Sequence, residues 1–200
     1  MDFGANLSII IPNYRERRLM EVYAYFRREF PSAQIILADD LEGKGKGWAM
    51  REGLKQATGE LVCFLDGDFD IFPRMIMRLL PFVKDYDIVV GKKNLKNISA
   101  QRKVLTILSR IYIGTIFNQR CDTQTGIKIF HRDALSDWET NGFLFDVEIL
   151  VKAKKKGKTI IEVPIEAAII NNVSIKAVWI TFLESLKLWK RLNNEDFIQT

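Results

Sequence analysis

Short apolar segments alternate with helical patterns in the first half of the chain, and this alternation restricts the fold more than any other feature. Three segments are almost continuously apolar and end at turn or acidic residues, which is typical of buried strands, at 7–11, 35–38 and 60–65. Helical periodicity follows each strand, and helices are predicted at 17–30, 47–57 and 75–83. With a fourth strand at 87–91, this order predicts an α/β fold with a mostly parallel sheet and helices on both faces.

The second half is less regular, but the alternation continues. Helices are predicted at 102–117, 145–155 and 175–193, and strands at 127–130 and 159–165. The last helix is amphipathic, with an apolar stripe of Trp179, Phe182, Leu183, Leu186 and Trp189. A chain of 200 residues suits one domain. We therefore expect a main body at 1–176, with the helix and tail at 177–200 belonging to the same domain.

Three carboxylates, Asp66, Asp68 and Asp70, come directly after the third predicted strand. Closely spaced carboxylates repel one another, and Mg²⁺ or Mn²⁺ with hard oxygen ligands removes that cost. Ligands of parallel α/β sheets bind at the carboxyl ends of the strands, where the chain also places Pro12–Tyr14, Asp39–Asp40 and Gly91–Lys93. The pattern predicts a metal and phosphate site, and the alternative is a solvated acidic turn.

Composition and charge set outer limits on the class of protein. The net charge of +5 and pI near 9.2 allow nucleic acid, anionic lipid or phosphorylated substrates as partners, and charge alone does not choose among them. Cys63 lies in an apolar strand far from Cys121, so we expect a reducing compartment and no disulfide framework. We see no secretory signal and no apolar stretch long enough to span a bilayer. We therefore expect a cytoplasmic protein, with peripheral contact to the cytoplasmic face of a membrane left open.

Several motifs occur in an order that resembles the family 2 glycosyltransferases, which have the GT-A fold. The segment 7–16 is similar to the opening strand and Pro-x-Tyr-Asn-Glu turn of that family, and 43–47 is similar to its Lys-Gly-x-Gly segment. The segment 66–70 resembles its Asp-x-Asp metal motif. Together with the segments 122–126 and 162–165, the resemblance extends to the polyprenyl-phosphate sugar synthases, such as the dolichol-phosphate mannose and glucose synthases. It covers roughly 6–176 and implies a GT-A catalytic domain there.

The chain also departs from the family pattern at the positions that contact the nucleotide. The loop after Asp40 is shorter than usual and runs almost directly into Gly43, which implies a reshaped base pocket. Arg15 stands where the family has Asn, and Gly91–Lys93 replaces a usual Gly-Ser-Arg. The usual Arg ahead of the closing segment is absent at 171–176.

The resemblance implies a role for each candidate residue on the donor side. The metal ion would be held by Asp66, Asp68 and Asp70. The nucleotide would be bound by Pro12, Tyr14, Glu16, Asp39, Lys46 and Asp66. The glycines around Lys44 and Lys46 would let the backbone approach the phosphates closely.

The acceptor side is implied by the same resemblance. Arg102 and Thr106, one helical turn apart, resemble an Arg-x-x-x-Ser pair that holds a lipid phosphate. The acceptor-binding set is Arg102, Thr106, Gln124, Ser174 and Lys176. The residues closest to the chemistry would be Asp68, Asp122 and Arg102.

The implied reaction is an inverting transfer of a hexose from a nucleotide-diphospho-sugar, GDP-mannose or UDP-glucose, to a polyprenyl phosphate such as dolichyl phosphate. A phosphate is already ionised near neutral pH and needs no general base, so His131 need not be catalytic. One alternative is a soluble glycosyltransferase acting on a sugar or protein hydroxyl, which would need a carboxylate base, and Asp122 is the candidate. Another is a non-catalytic nucleotide- or sugar-binding module. Nucleic acid is not an expected partner, and the oligomeric state is left open.

Overall fold

A computed structural model describes residues 6–13, 19–67, 71, 73–94, 100–123, 125–166 and 175–198, with side chains throughout except at 100–102, 175–178 and 195–198. The described strands are β1 (Leu7–Asn13), β2 (Gln34–Asp39), β3 (Leu61–Leu65), β4 (Ile88–Lys93), β5 (Ile127–His131) and β6 (Ile160–Ile165). The described α-helices are α1 (Leu19–Glu29), α2 (Lys46–Gln56), α3 (Ile76–Leu79), α4 (Ala100–Ile116), α5 (Phe145–Lys155) and α6 (Ile175–Ile198). Every predicted strand is therefore present, and the α/β class is confirmed.

The strands form one sheet in the order β2-β1-β3-β5-β4-β6. β1 pairs in parallel with β2 and β3, and β4 pairs in parallel with β6. β5 lies between β3 and β4 and is antiparallel to both. The carboxyl ends of the other described strands therefore meet at one edge, and the start of β5 reaches that same edge.

The helix predicted at 75–83 is the one predicted element that the structure corrects. It is divided into a 3₁₀ turn at Pro73–Met75, the single α-turn of α3, and a second 3₁₀ segment at Leu80–Lys84. Pro81 explains the division, because a proline inside a helix has no N–H to donate and its ring clashes with the carbonyl four residues earlier.

Both faces of the sheet are buried, which explains why its strands are almost continuously apolar. Alternate side chains of β1 point to opposite faces, so Ile9 and Ile11 pack with α1 and with the segment around α3. Ile10 packs on the other face, with α2 and α5. Helices on both faces were predicted, and this prediction is confirmed.

The helices α4 and α6 pack against α5 on its side away from the sheet. Leu188 and Leu192 of α6 and Ile113 and Phe117 of α4 form a buried cluster, together with Val147 of α5. The tyrosine hydroxyl of Tyr112 and the hydroxyl of Ser185 lie 2.8 Å apart and join α4 to α6. The two outer helices are thus held to α5 and to each other.

Glu148 on α5 is the polar centre of this outer layer. Its fully buried carboxylate accepts hydrogen bonds from the backbone N–H groups of Glu139 and Thr140, at 3.1 and 3.0 Å. It also pairs with Arg191 of α6 at 2.6 Å and with Lys152 at 3.0 Å. Burial acts to raise the pKa of Glu148, but these donors outweigh it, so the pKa lies below its ordinary value.

We predict that Glu148→Gln lowers the free energy of unfolding by about 3 kcal/mol, because it removes a buried anion from two partly buried cations and several hydrogen-bond donors. Glu139→Gln is the matched control, since that exposed carboxylate also pairs with Arg191, at 3.3 Å. We expect the control to change stability by less than about 0.5 kcal/mol. Urea unfolding measures both variants.

The pH dependence follows from the direction of the pKa change. The folded pKa of Glu148 lies below the ordinary value of 4.5, so the wild-type advantage over Glu148→Gln is complete above that pH. It is lost as the pH falls through the lower, folded value. A difference between the two proteins that is unchanged by acidification would contradict the assignment.

Candidate active site

A cleft of about 540 Å³ opens at the edge where the strands end. It is lined by the ends of β1 and β3, by the loop before α2, and by the loop before α5. The lining residues are Pro12, Asn13, Asp40, Gly43, Gly45, Lys46, Ala49, Asp66, Gly67, Gly142 and Phe143. Its position is the one at which parallel α/β sheets bind their ligands.

Asp66 and Lys46 form the charged floor of the cleft. Asp66 directly follows β3, and its carboxylate lies 2.5 Å from the ammonium of Lys46 at the start of α2. Both side chains are mostly buried, so the pair is only weakly screened by solvent. The backbone N–H of Asp66 donates to the carbonyl of Gly126 at 2.8 Å. The floor is therefore held from both the first and the second half of the chain.

Asp40 organises the glycine-rich loop on one wall. Its buried carboxylate accepts the backbone N–H groups of Lys44 and Gly45, each at 2.7 Å. Gly45 has a φ of 111°, a conformation that other residues rarely adopt. Asp39–Asp40 was predicted to lie at this edge of the sheet, but no role was assigned to Asp40, because an acidic residue before a glycine-rich turn is ordinarily solvated.

A second wall of the cleft is the loop at 139–144. No motif in this loop predicted a place in the site. The carbonyl of Asn141 accepts the N–H of Gly47 at 2.7 Å, and the indole N–H of Trp138 donates to the carbonyl of Gly47 at 2.9 Å. Arg51 donates to the Trp138 carbonyl at 2.8 Å. This loop thus packs directly on the first turn of α2, beside Lys46.

Asp122 lies in the loop before β5 and is buried. Its carboxylate accepts a hydrogen bond from the guanidinium of Arg110 on α4. Its backbone N–H donates to the carboxylate of Glu162 at 2.6 Å, and Glu162 pairs with Lys92 at 2.7 Å. The network joins α4 to β4 and β6.

Several predicted site residues are brought to the cleft and others are not. Pro12, Lys46 and Asp66 line it, and Asp39 lies beside it through a hydrogen bond from Asn13. Lys44 is instead at the surface, paired with Glu42 at 2.8 Å, with its ammonium over the Trp48 ring. Thr106 lies half-exposed on α4.

The remaining predicted residues are not fully described. Tyr14, Glu16, Asp68, Asp70, Gln124 and Ser174 lie outside the described residues, and Arg102 and Lys176 are described only by their backbone, in α4 and α6. His131 ends β5 at the opposite edge of the sheet, where its Nε2 lies 2.7 Å from the carbonyl of Val83.

The sheet order and the cleft at its strand ends define an α/β protein with a candidate ligand site at the carboxyl edge of the sheet. Residues 34–138 match the model of glycosyl transferase family 2. The match covers just over half of the chain, and the chain therefore belongs to this family. The family predicted from the motifs is confirmed.

Curated relatives give the same family. A dolichyl-phosphate beta-glucosyltransferase, ALG5A, of Trichomonas vaginalis is 28% identical over an alignment of 174 positions that covers 79% of this chain and 53% of that protein. The glycosyltransferase AglD of Haloferax volcanii is 28% identical over an alignment of 206 positions that covers 82% of this chain and 33% of that protein. The chain thus spans about half or less of the length of these relatives.

Solved structures share the fold at low sequence identity. The crystal structure of glucosyl-3-phosphoglycerate synthase of Mycobacterium tuberculosis has a TM-score of 0.64 and 15% identity, and the likeness covers 86% of this chain and 75% of that one. Its complex with Mn²⁺, UDP-glucose and phosphoglyceric acid has a TM-score of 0.65 and 15% identity, covering 88% and 75%. The GT-A fold predicted from the sequence is confirmed.

We predict that Asp40→Ala loosens the glycine-rich wall. The N–H groups of Lys44 and Gly45 lose their acceptor, so their hydrogen exchange should accelerate at least tenfold, which corresponds to about 1.4 kcal/mol. Amide exchange followed by NMR measures this residue by residue.

Glu42→Ala is the matched control, because Glu42 is an exposed acid in the same loop. We expect it to leave both exchange rates within about twofold. Equal rates in Asp40→Ala and in the wild-type protein would exclude the proposed role of the carboxylate.

Proposed function

We propose that the chain is the catalytic part of a metal-dependent, inverting glycosyltransferase that moves a hexose from a nucleotide-diphospho-sugar to a polyprenyl phosphate. One observation carries the proposal. A cleft floored by Asp66 and Lys46 lies directly beside two helices, α4 and α6, that expose large apolar side chains. A polar donor pocket and an apolar surface are what a water-soluble sugar donor and a lipid acceptor require.

The donor assignment is supported by the cleft and by a structural neighbour. The M. tuberculosis enzyme was crystallised with Mn²⁺ and UDP-glucose, and its fold is the fold of this chain. The ammonium of Lys46 lies on the cleft floor, where it would offset the negative charge of a diphosphate. We propose GDP-mannose or UDP-glucose as the donor.

We propose a divalent cation, Mg²⁺ or Mn²⁺, at this floor, to which the described residues contribute one carboxylate, that of Asp66. The carboxylate of Asp66 faces the cleft and already lies against one cation, the ammonium of Lys46. Among the described residues, no group of three Asp, Glu, His or Cys side chains is arranged to hold a metal ion. Asp68 and Asp70, the other two proposed ligands, lie outside them. A bound ion would neutralise charge on the departing diphosphate.

The environment of Asp122 favours a phosphate acceptor over a hydroxyl. A hydroxyl acceptor needs a carboxylate base that is open to the reacting group. The carboxylate of Asp122 is buried and receives the guanidinium of Arg110. An ionised phosphate needs no such base and can attack the anomeric carbon directly, displacing the nucleoside diphosphate with inversion. Arg102 and Thr106 of α4 are proposed to hold it.

The apolar surface is formed by the outward sides of α4 and α6. We call it the α4/α6 face: Val104, Leu105, Ile107, Leu108, Ile111, Trp179, Ile180, Leu183, Leu186 and Trp189, all exposed. Among the five α6 residues of this face, Trp179 is the most exposed, with 62% of its surface accessible. Monomeric soluble proteins seldom expose so many large apolar residues on neighbouring helices.

The helices that carry the α4/α6 face are connected to the cleft at two points, the first direct and the second through the loop before β5. Glu184 of α6 lies against Gly142 on the cleft wall, close enough to contact any Cβ atom built there. Arg110 of α4 holds Asp122, four residues before Gly126 at the cleft floor. An acceptor whose tail lies along the α4/α6 face can therefore present its phosphate to the cleft.

This arrangement supports a peripheral site at a membrane surface. Lys187 and Lys190 lie on the outer side of α6 beside the apolar residues, where they would meet anionic headgroups while Trp179 and Leu183 enter the acyl boundary. No helix among the described residues has the length and apolarity needed to cross a bilayer.

We predict that one of GDP-mannose and UDP-glucose binds in the presence of Mn²⁺ and not with chelator. Asp66→Asn should weaken this metal-dependent binding at least tenfold, because it removes a carboxylate that is proposed to hold the ion. Asp68→Ala should abolish sugar transfer to a polyprenyl phosphate. Calorimetric titration and a radiolabelled transfer assay measure these effects.

Asp85→Ala is the control for both variants, since Asp85 is exposed and remote from the cleft. Full activity of Asp68→Ala would refute the metal mechanism. Transfer to a sugar or protein hydroxyl instead of the polyprenyl phosphate would replace the acceptor while keeping the donor. The absence of any nucleotide binding would leave a non-catalytic role.

We predict that the chain binds vesicles of phosphatidylcholine with phosphatidylserine. Leu183→Ser should weaken this binding about tenfold, because full burial of a leucine contributes about 1.5–3 kcal/mol. Met77→Ser is the control, since Met77 is exposed on the other side of the sheet. Co-sedimentation of both variants decides the matter, and equal binding by them would show that the α4/α6 face does not meet lipid.

A further inference from the structure

A buried ion pair lies beneath the cleft floor and has no part in the proposed chemistry. Lys128, the second residue of β5, is 1% exposed, and its ammonium lies 3.2 Å from a carboxylate oxygen of Asp146. The same ammonium donates to the carbonyl of Thr125 at 2.5 Å. Asp146 is in the first turn of α5 and is also buried.

Burying the two charges of this pair carries a large desolvation penalty. Burial raises the pKa of Asp146, and the opposing effect of Lys128 does not cancel the change. Well-packed apolar residues of similar volume often stabilise a fold as well as a buried ion pair does, or better. Stability alone therefore does not account for two charges at this depth.

The contacts of Lys128 lead to the carboxylate of the cleft floor. The Thr125 carbonyl that it holds belongs to the residue before Gly126, and the Gly126 carbonyl accepts the N–H of Asp66 at 2.8 Å. Gly126 also lies so close to the Asp66 carboxylate that a Cβ atom there would overlap it. A shift of the Thr125–Gly126 backbone would thus move Asp66.

The first turn of α5, which carries Asp146, lies close to the ammonium of Lys46 on the cleft floor. Its neighbour Phe145 packs its Cβ against Gly47, and the Lys46 ammonium lies 5.7 Å from the centre of the Phe145 ring. Lys46, Asp66, Lys128 and Asp146 together line one small cavity of about 10 Å³. Two cations and two anions are therefore packed around a single point.

We propose that the Lys128–Asp146 pair is a positioning element of the donor site. It fixes the Thr125–Gly126 backbone on one side and the start of α5 on the other, and so sets where Asp66 and Lys46 meet the diphosphate. Lys128 does not line the cleft and is not a catalytic residue. The inference rests on the proposed function for its effect on ligand binding, and on the structure alone for its effect on Asp66.

The test compares the single variants Lys128→Met and Asp146→Asn with the double variant that carries both. Each single change leaves one buried charge without its partner and should lower the melting temperature. The double change removes both charges and should restore most of that loss. If the pair positions the floor, the double variant should still bind the nucleotide-sugar at least tenfold more weakly than the wild-type protein.

A second readout needs no ligand. Hydrogen exchange at the Asp66 N–H reports its bond to Gly126 and should accelerate at least tenfold in the double variant. Lys128→Arg keeps the cation and should hold both the exchange rate and the binding within about threefold. Lys158→Met is the matched control, because Lys158 pairs with Asp87 and Asp133 at the opposite edge of the sheet.

The outcomes separate this inference from the proposed function. Recovery of Asp66 exchange together with the melting temperature in the double variant would show a merely structural pair and overturn the inference. Faster Asp66 exchange in a protein that binds no nucleotide would support the positioning role and reject the donor assignment. Unchanged Asp66 exchange in every variant would reject the positioning role, whatever the ligand affinity.

Discussion

The hydrogen bond from the Asp66 N–H to the Gly126 carbonyl joins the two halves of the chain at the cleft floor. It exists because β5 runs antiparallel between β3 and β4, so its first residues reach the edge where the other described strands end. An all-parallel sheet would have sent the loop before β5 to the opposite edge. The loop that carries Asp122 and Gly126 meets Asp66 only through this reversal. The helix α4 is connected to the same loop, because Arg110 donates a hydrogen bond to Asp122.

Much of the architecture could be predicted because its strands are buried on both faces and their apolar runs stand out from the helices between them. The single helix predicted at 75–83 was wrong, because Pro81 interrupts it although the apolar periodicity continues past that residue. The position of Asp66 at the end of β3 was also predictable, because the end of a buried strand in such a sheet is where a ligand site lies.

Other parts of the site carry no local signal. Lys128 is a polar residue between apolar neighbours in a short strand, a pattern that ordinarily indicates a solvated face. It is buried because α5, which comes later in the chain, covers that face. The loop at 139–144 is held at the cleft because the carboxylate of Glu148 accepts hydrogen bonds from its backbone. Asp40 belongs to the site because its carboxylate accepts a hydrogen bond from the backbone of the short loop that follows it. These are long-range contacts, and periodicity does not report them.

The contact between Gly142 and Glu184 has a consequence for how the cleft is bounded. Gly142 belongs to the cleft wall, and the carboxylate of Glu184 lies directly behind it, where only a hydrogen atom separates the wall from α6. The helix α6 therefore supports the cleft wall from behind, although none of its described residues lines the cleft. A chain shortened before Glu184 would keep every lining residue and lose the support behind one of them. The width of the cleft therefore depends partly on α6, a helix whose other side carries the apolar surface.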